Sequence, residues 1–325
     1  MKRKKKIKIS LFAGLLCIIL AFLYLYFPNI NESKPFKVIY ISKVLDFQND
    51  FWTQLIEGLN MAADEYHVDL SVVGASSESD FEKQNELIEW ALEQKPDIIL
   101  LAPCRYRDSC KIAEKIKKKG IPLVLVDSNL EKSIADVYVS TDNIEAGNKL
   151  GTYLYEYTSE QSRIGVIAHE QYSSTAMERI EGLQKGLKDK SNLISEISYS
   201  GSSYSAAEEA TKKLLKRHPE VHIIAATNEY TTTGAGRAIR ALGLQNEVSL
   251  VGFDSSIKEV QLLEENILKA TVIQQSFKMG YYSIETAVGI LSGKQQKSYI
   301  NSGSMLITNE NMYKEDVQKI LFPVQ

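Results

Sequence analysis

The 325-residue chain, 44% hydrophobic and 24% charged, has the balance of a globular protein of about two domains, large enough to need no disulfide or metal staple. Six of its 38 basic residues lie within the first eight positions, which leaves the remainder at about −9. So acidic a remainder excludes nucleic acid as a partner, because phosphate capture relies on surplus lysine and arginine.

Lys2, Arg3, Lys4, Lys5, Lys6 and Lys8 precede a run, Ile9 to Phe27, in which Ser10 and two tyrosines are the only polar groups. That run is long enough to cross roughly 30 Å of hydrocarbon as a helix. Tyr24 and Tyr26 sit at its far end, where amphipathic rings favour the headgroup layer. The basic flank places the N-terminus in the cytoplasm and the rest of the chain outside a cell membrane crossed once. Two alternatives compete with an uncleaved anchor. A cleavable signal peptide has a shorter apolar core and a small-x-small site, which does not follow Phe27. A lipidated cysteine needs a small residue before it, and Cys17 follows Leu16. Residues 28–35 read as a polar linker. Cys104 and Cys110 would lie in an unreduced exterior, and their pairing is left open.

From residue 38 onward, apolar runs of strand length alternate with amphipathic helical stretches. The runs are Val38–Ile41, Leu70–Val73, Ile98–Ala102, Leu123–Asp127, Ile164–Ala168, His222–Ala226 and Ser249–Asp254. They are unbroken rather than alternating, as a sheet covered on both faces requires. Leu55, Leu59, Ala62 and Ala63, and later Ala207, Ala210, Leu214 and Leu215, have helical spacing. Repeated strand–helix–strand units predict an α/β protein of doubly wound parallel sheets. The two halves correspond: Leu123–Ser128 and Leu250–Ser255 each place an aspartate, Asp127 or Asp254, at the end of a buried strand. Ligands bind at that edge of open α/β sheets, so two such domains predict a cleft.

A polyol needs acceptors for its hydroxyls and flat apolar surfaces for its C–H faces. Asp127 and Asp254 could each accept from adjacent hydroxyls, or each could cap a helix. Phe51 and Trp52 beside Asn49 could stack on a sugar ring, or could pack into the core. His169 ends a strand at the same edge, where a structural donor role is the plainer reading. His218 and His222 are separated by Pro219 and share no helical face. There is no zinc spacing, no glycine-rich phosphate loop and no nucleophile elbow, so neither a catalytic site nor a cofactor or metal site is expected.

Asn49-Asp50-Phe51-Trp52, Val126-Asp127, Thr141-Asp142-Asn143, Met177-Glu178-Arg179, Thr227-Asn228-Glu229, Val251-Gly252-Phe253-Asp254 and Ala270–Gln274 together resemble the ribose-type sugar-binding proteins, periplasmic binding proteins of type I, from Phe36 onward. The resemblance implies two Rossmann-like lobes, 36–141 with 275–301 and 142–274 with 302–325, joined by a three-segment hinge near Thr141, Gln274 and Ser302. It implies that Phe51, Trp52 and Phe253 sandwich a sugar ring, and that Asn49, Asp127, Arg179, Asn228, Asp254 and Gln274 bond its polar atoms. Tyr204 could replace a further aromatic. In the ribose receptors an arginine follows the first aspartate; here Ser128 stands there, which puts ribose itself in doubt but not a monosaccharide. Three extra residues around Val44–Asp46 alter the cleft mouth. The chain also looks like anchored sugar-sensing receptors, xylose among their cargoes, that signal to a membrane histidine kinase of a two-component system. The alternative role is the capture subunit of an ABC importer with a permease partner.

Overall fold

A computed structural model of the chain describes residues 34–321. The expected membrane helix at 9–27 lies outside them. Among the described residues no helix is long and apolar enough to cross a membrane.

The first sheet is built from β1 (Lys37–Ser42), β2 (Asp69–Gly74), β3 (Ile98–Leu101), β4 (Leu123–Val126) and β5 (Val137–Ser140), with α1 (Asp50–Glu65), α2 (Phe81–Glu93) and α3 (Cys110–Lys118) between its strands. The chain then leaves for a second sheet through α4 (Asn143–Tyr157). There follow β6 (Ile164–Ala168), α5 (Ser174–Leu187), β7 (Ile194–Tyr199), α6 (Tyr204–Arg217), β8 (Ile223–Ala226), α7 (Glu229–Leu242), β9 (Ser249–Phe253), α8 (Ile257–Glu264) and β10 (Leu268–Gln274). α9 (Ser276–Leu291) and β11 (Tyr299–Asn301) return to the first sheet. β12 (Ser304–Thr308) and α10 (Glu315–Leu321) end the second.

The strand orders are β11-β5-β4-β3-β1-β2 and β12-β10-β9-β8-β6-β7. Every pairing is parallel except β10 with β12. In each sheet the order reverses beside the first strand, at the switch point where a crevice opens. Along β1, Val38 and Tyr40 enter one apolar cluster while Ile39 and Ile41 enter another on the opposite face. This two-sided burial is why the strand reads as an unbroken apolar run, and each such side chain contributes about 1.5–3 kcal/mol.

Helix α1 starts where the Asn49 side chain accepts the Trp52 N–H, and it buries Leu55, Leu59, Ala62 and Ala63. It packs on α9 with backbones in contact: a Cβ on Gly280 would lie 2.0 Å from the Leu55 carbonyl oxygen. The three crossings between sheets lie side by side. Ser302 N–H donates to Ser140 O at 2.9 Å, and Gln275 N–H to Gly303 O at 3.4 Å. Gly303 has φ +94°, a conformation that glycine adopts without strain.

Each strand read from the sequence is present within a residue or two of its predicted limits. β5, β7, β10, β11 and β12 were not anticipated as strands. β7 is an edge strand that is only half buried, and β11 spans three exposed or half-buried residues, so neither carries an apolar run. Cys104 and Cys110 are separate buried thiols. Burial pushes the Cys104 thiol up to about 12.

Candidate functional site

The carboxyl ends of the two sheets face each other across a narrow cavity. The first sheet supplies Lys43, Asn49, Phe51, Trp52, Glu78 and Asp127. The second supplies His169, Thr175, Arg179, Asn228, Glu229, Tyr230, Asp254 and Gln274.

The two aspartates are held by matching devices. Asp127 has φ +66° and Asp254 φ +77°, left-handed conformations that aspartate tolerates at some cost. A hydroxyl from the neighbouring strand donates to each carbonyl: Ser140 Oγ to Asp127 O at 2.8 Å, and Thr271 Oγ1 to Asp254 O at 2.7 Å. Neither is a helix cap. A loop follows Asp127, and Ser256 caps α8. The twisted backbone turns both carboxylates toward the cavity instead.

Lys43, directly after β1, is the partner that sequence reasoning missed. Its Nζ lies 2.8 Å from Asp127 Oδ2, with both side chains at most 5% exposed, and 3.4 Å from Ser173 Oγ across the cleft. Burial would pull its pKa down, but Asp127 and Glu78 outweigh burial and hold it above the ordinary value. A cation therefore sits beside Asp127 although position 128 is serine, whose Oγ donates to the same carboxylate at 2.9 Å.

Arg179, 3% exposed, is a cavity side chain rather than a surface arginine. Its Nε donates to Asn143 Oδ1 at 2.8 Å and one terminal nitrogen to Thr227 O at 2.6 Å. Its guanidinium stacks 4.6 Å from the Phe253 ring centroid. Phe253 itself is 1% exposed and does not line the cavity. The expected role for it, direct contact with a ring, is corrected: it supports Arg179 from the core.

Phe51 and Trp52 meet edge-to-face at 4.9 Å, and Trp52 Nε1 donates to Glu78 Oε1 at 3.0 Å. Asn49 and Asn228 spend their side-chain oxygens capping α1 and α7. Their amide N–H groups are left as donors. Gln274 Nε2 donates to Asp254 Oδ1 at 2.7 Å, while Gln274 Oε1 is buried without a partner. Both ring nitrogens of His169 meet threonine hydroxyls, Thr227 at 2.8 Å and Thr175 at 3.0 Å. Burial, with Arg179 and Lys43 nearby, keeps that imidazole neutral by lowering its pKa well below the usual range.

Eight of the nine expected side chains thus line one cavity. The additional acids had little sequence signal. Glu78 lies in a loop of serines and Glu229 inside a helix start. Burial raises both, Glu229 to about 8 with Asp254 and Asp50 adding to the rise. The wall is rich in acceptors, and both of its cations are engaged within the protein. It suits a neutral molecule with many donors. Among the described residues, no His, Cys, Asp and Glu set could hold a metal ion.

Cross-cleft hydrogen bonds shut the mouth. Tyr230 donates to Asp46 Oδ2 at 2.8 Å, Ser202 to Glu78 Oε2 at 2.7 Å, Ile257 N–H to Asp50 Oδ2 at 3.2 Å, and Asn129 N–H to Ser174 Oγ at 2.8 Å. Asp46 belongs to the extra residues noted at the mouth.

The profile of a family described as periplasmic binding protein domain matches residues 43–295. The ribose import binding protein of Bacillus subtilis is 24% identical over 285 residues, covering 87% of this chain and 91% of that protein. A D-ribose/D-allose-binding protein of Pseudomonas aeruginosa is 22% identical, covering 81% and 84%. Among solved structures, a sugar transporter from Clostridium phytofermentans superposes with a TM-score of 0.80 at 41% identity, covering 84% of this chain and 99% of that one. An ABC transporter solute-binding protein from Agrobacterium vitis, with bound D-fucose, gives 0.83 at 25% identity, covering 88% and 99%.

Proposed function

The chain belongs to the periplasmic binding protein family, whose members bind ligands rather than transform them, and on that premise we propose that it is a monosaccharide receptor. Asn49, Phe51, Trp52, Asp127, Arg179, Asn228, Asp254 and Gln274 contact the sugar. The observation that carries this reading is the convergence of polar and aromatic side chains from both sheets on one cavity, with two matched aspartates and an unpaired Gln274 acceptor. A pentose is the favoured cargo, xylose before ribose because Ser128 stands where ribose receptors carry an arginine. The lobes hinge about the three crossings at Thr141, Gln274–Gln275 and Ser302, and the sugar favours the closed form by its differential contacts.

Capture for an ABC importer is the role we favour, because relatives named for import and transport support it. Signalling to a membrane histidine kinase rests on the apolar run at 9–27, and co-purification from detergent with a permease and ATPase, or with a kinase, separates the two. The binding step is tested by a thermal-shift screen of pentoses, hexoses and their phosphates. A ligand of the folded state raises the melting temperature by mass action. A shift with at least one free sugar and none with the phosphates is expected; shifts with the phosphates alone would sink the reading.

A further inference from the structure

Beyond ligand contact, Glu229 occupies a position that the sugar-binding role does not explain. It starts α7 in the second lobe, is 1% exposed, and its carboxyl crosses to the first lobe. Oε2 accepts the Phe51 N–H, at the N-terminus of α1, at 3.2 Å. Oε1 meets the Tyr204 hydroxyl, which also lies 3.3 Å from the Gln48 carbonyl of the first lobe. The Tyr204 hydroxyl carries one hydrogen and faces two acceptors. If Glu229 is ionised, one of these contacts has no proton. If Glu229 carries the proton, Oε1–H donates to Tyr204 Oη, Tyr204 donates to Gln48 O, and Phe51 N–H is still accepted by Oε2. The acid form satisfies every group within the protein, whereas the ionised form leaves the exposed Gln48 carbonyl to solvent.

The surroundings favour the same form. Asp254 at the end of β9 accepts the Glu229 N–H at 2.8 Å, Glu259 of α8 is fully buried with Oε1 unpaired, and Asp50 of α1 and Asp46 of the mouth loop lie in the first lobe. Tyr230 turns to Asp46. Lys258 and Arg237 lie 4.6 and 5.3 Å over the Tyr204 ring, and Arg179 donates to Asn143 and Thr227. Burial of the Glu229 carboxyl beside two other buried acids, Asp254 and Glu259, with no cation paired to it, disfavours its charged form.

We propose that Glu229 closes the cleft as a neutral acid, so that shutting the lobes takes up one proton. The inference rests on the cleft-binding reading above. In the open form Glu229 is solvated and ionises in the ordinary carboxylate range. In the closed form its pKa is about 8. Closure is then strongest at low pH and weakens as pH rises toward that value.

Isothermal titration with D-xylose from pH 6 to 9, in buffers of different ionisation heat, tests this on the full chain. The expected result is proton uptake near neutrality and an affinity that falls more than tenfold between pH 6 and 8. Glu229→Gln keeps the shape, its amide donating to Tyr204 and its carbonyl accepting from Phe51. It should flatten the profile and abolish the uptake. No uptake by the parent chain, or an unchanged slope in Glu229→Gln, overturns the proposal. Spin labels on Glu86→Cys and Glu209→Cys report closure without sugar: the short-distance population should grow from pH 9 to 6, and not in Glu229→Gln. Labels that respond while D-xylose gives no heat would sink the sugar and keep the proton-linked closure. Heat without uptake or label response would sink the closure mechanism alone, and silence in both would sink both.

Discussion

Replacing Lys43 with methionine removes the cation from a pair whose side chains are 3% and 5% exposed. Asp127 would keep its bond from Ser128 but lose the 2.8 Å contact with Nζ, leaving a buried carboxylate without a counter-charge. Breaking such a pair from one side costs about 3–5 kcal/mol, a large share of the 5–15 kcal/mol typical of a domain. Replacing both partners is far cheaper, because no unpaired charge is left behind. Lys43→Met should therefore lower the urea midpoint sharply, and Lys43→Met with Asp127→Asn should regain most of the loss. The assay is denaturation of the two single variants and the double variant, read as a coupling energy. A single-variant cost under about 1 kcal/mol, or a double variant no better than Lys43→Met, would refute the pairing as a buried interaction.

Asp254→Ala should weaken sugar binding by about 1.5–3 kcal/mol, roughly 10- to 150-fold, measured by calorimetry on folded protein. Arg179→Ala should do the same and also lower the melting temperature, since it frees the Asn143 and Thr227 oxygens; binding intact in both variants would discard the site. Gly280→Ala should cost about 1–3 kcal/mol in urea denaturation, because its Cβ meets the Leu55 carbonyl at 2.0 Å, while leaving sugar affinity within a few-fold.

The fold was legible where burial is two-sided. β1, β3, β4, β6, β8 and β9 sit inside sheets with both faces covered, so their sequences are apolar without interruption. β7 at an edge and the three-residue β11 carry no such signature. The aspartate pair was legible because the halves repeat, and the structure extends the repeat to matching φ values and matching hydroxyl donors. Lys43 was not legible. It stands alone after β1, and only the fold sets it beside Asp127, 84 residues away. Phe253 was misread for the opposite reason: its ring shares one face of β9 with Val251 and lies in the apolar cluster there, and it is the next residue, Asp254, that reaches the cavity.

Trp52 lines the cavity and Trp90 does not, so a Trp90→Phe chain carries its one tryptophan at the site. The most direct test of the receptor is emission from Trp52 in that chain, titrated with D-xylose, D-ribose, D-arabinose and D-galactose. The account predicts a saturable change with at least one of them, lost in Asp254→Ala. No saturable response to any sugar, or a response that survives Asp254→Ala undiminished, would contradict it.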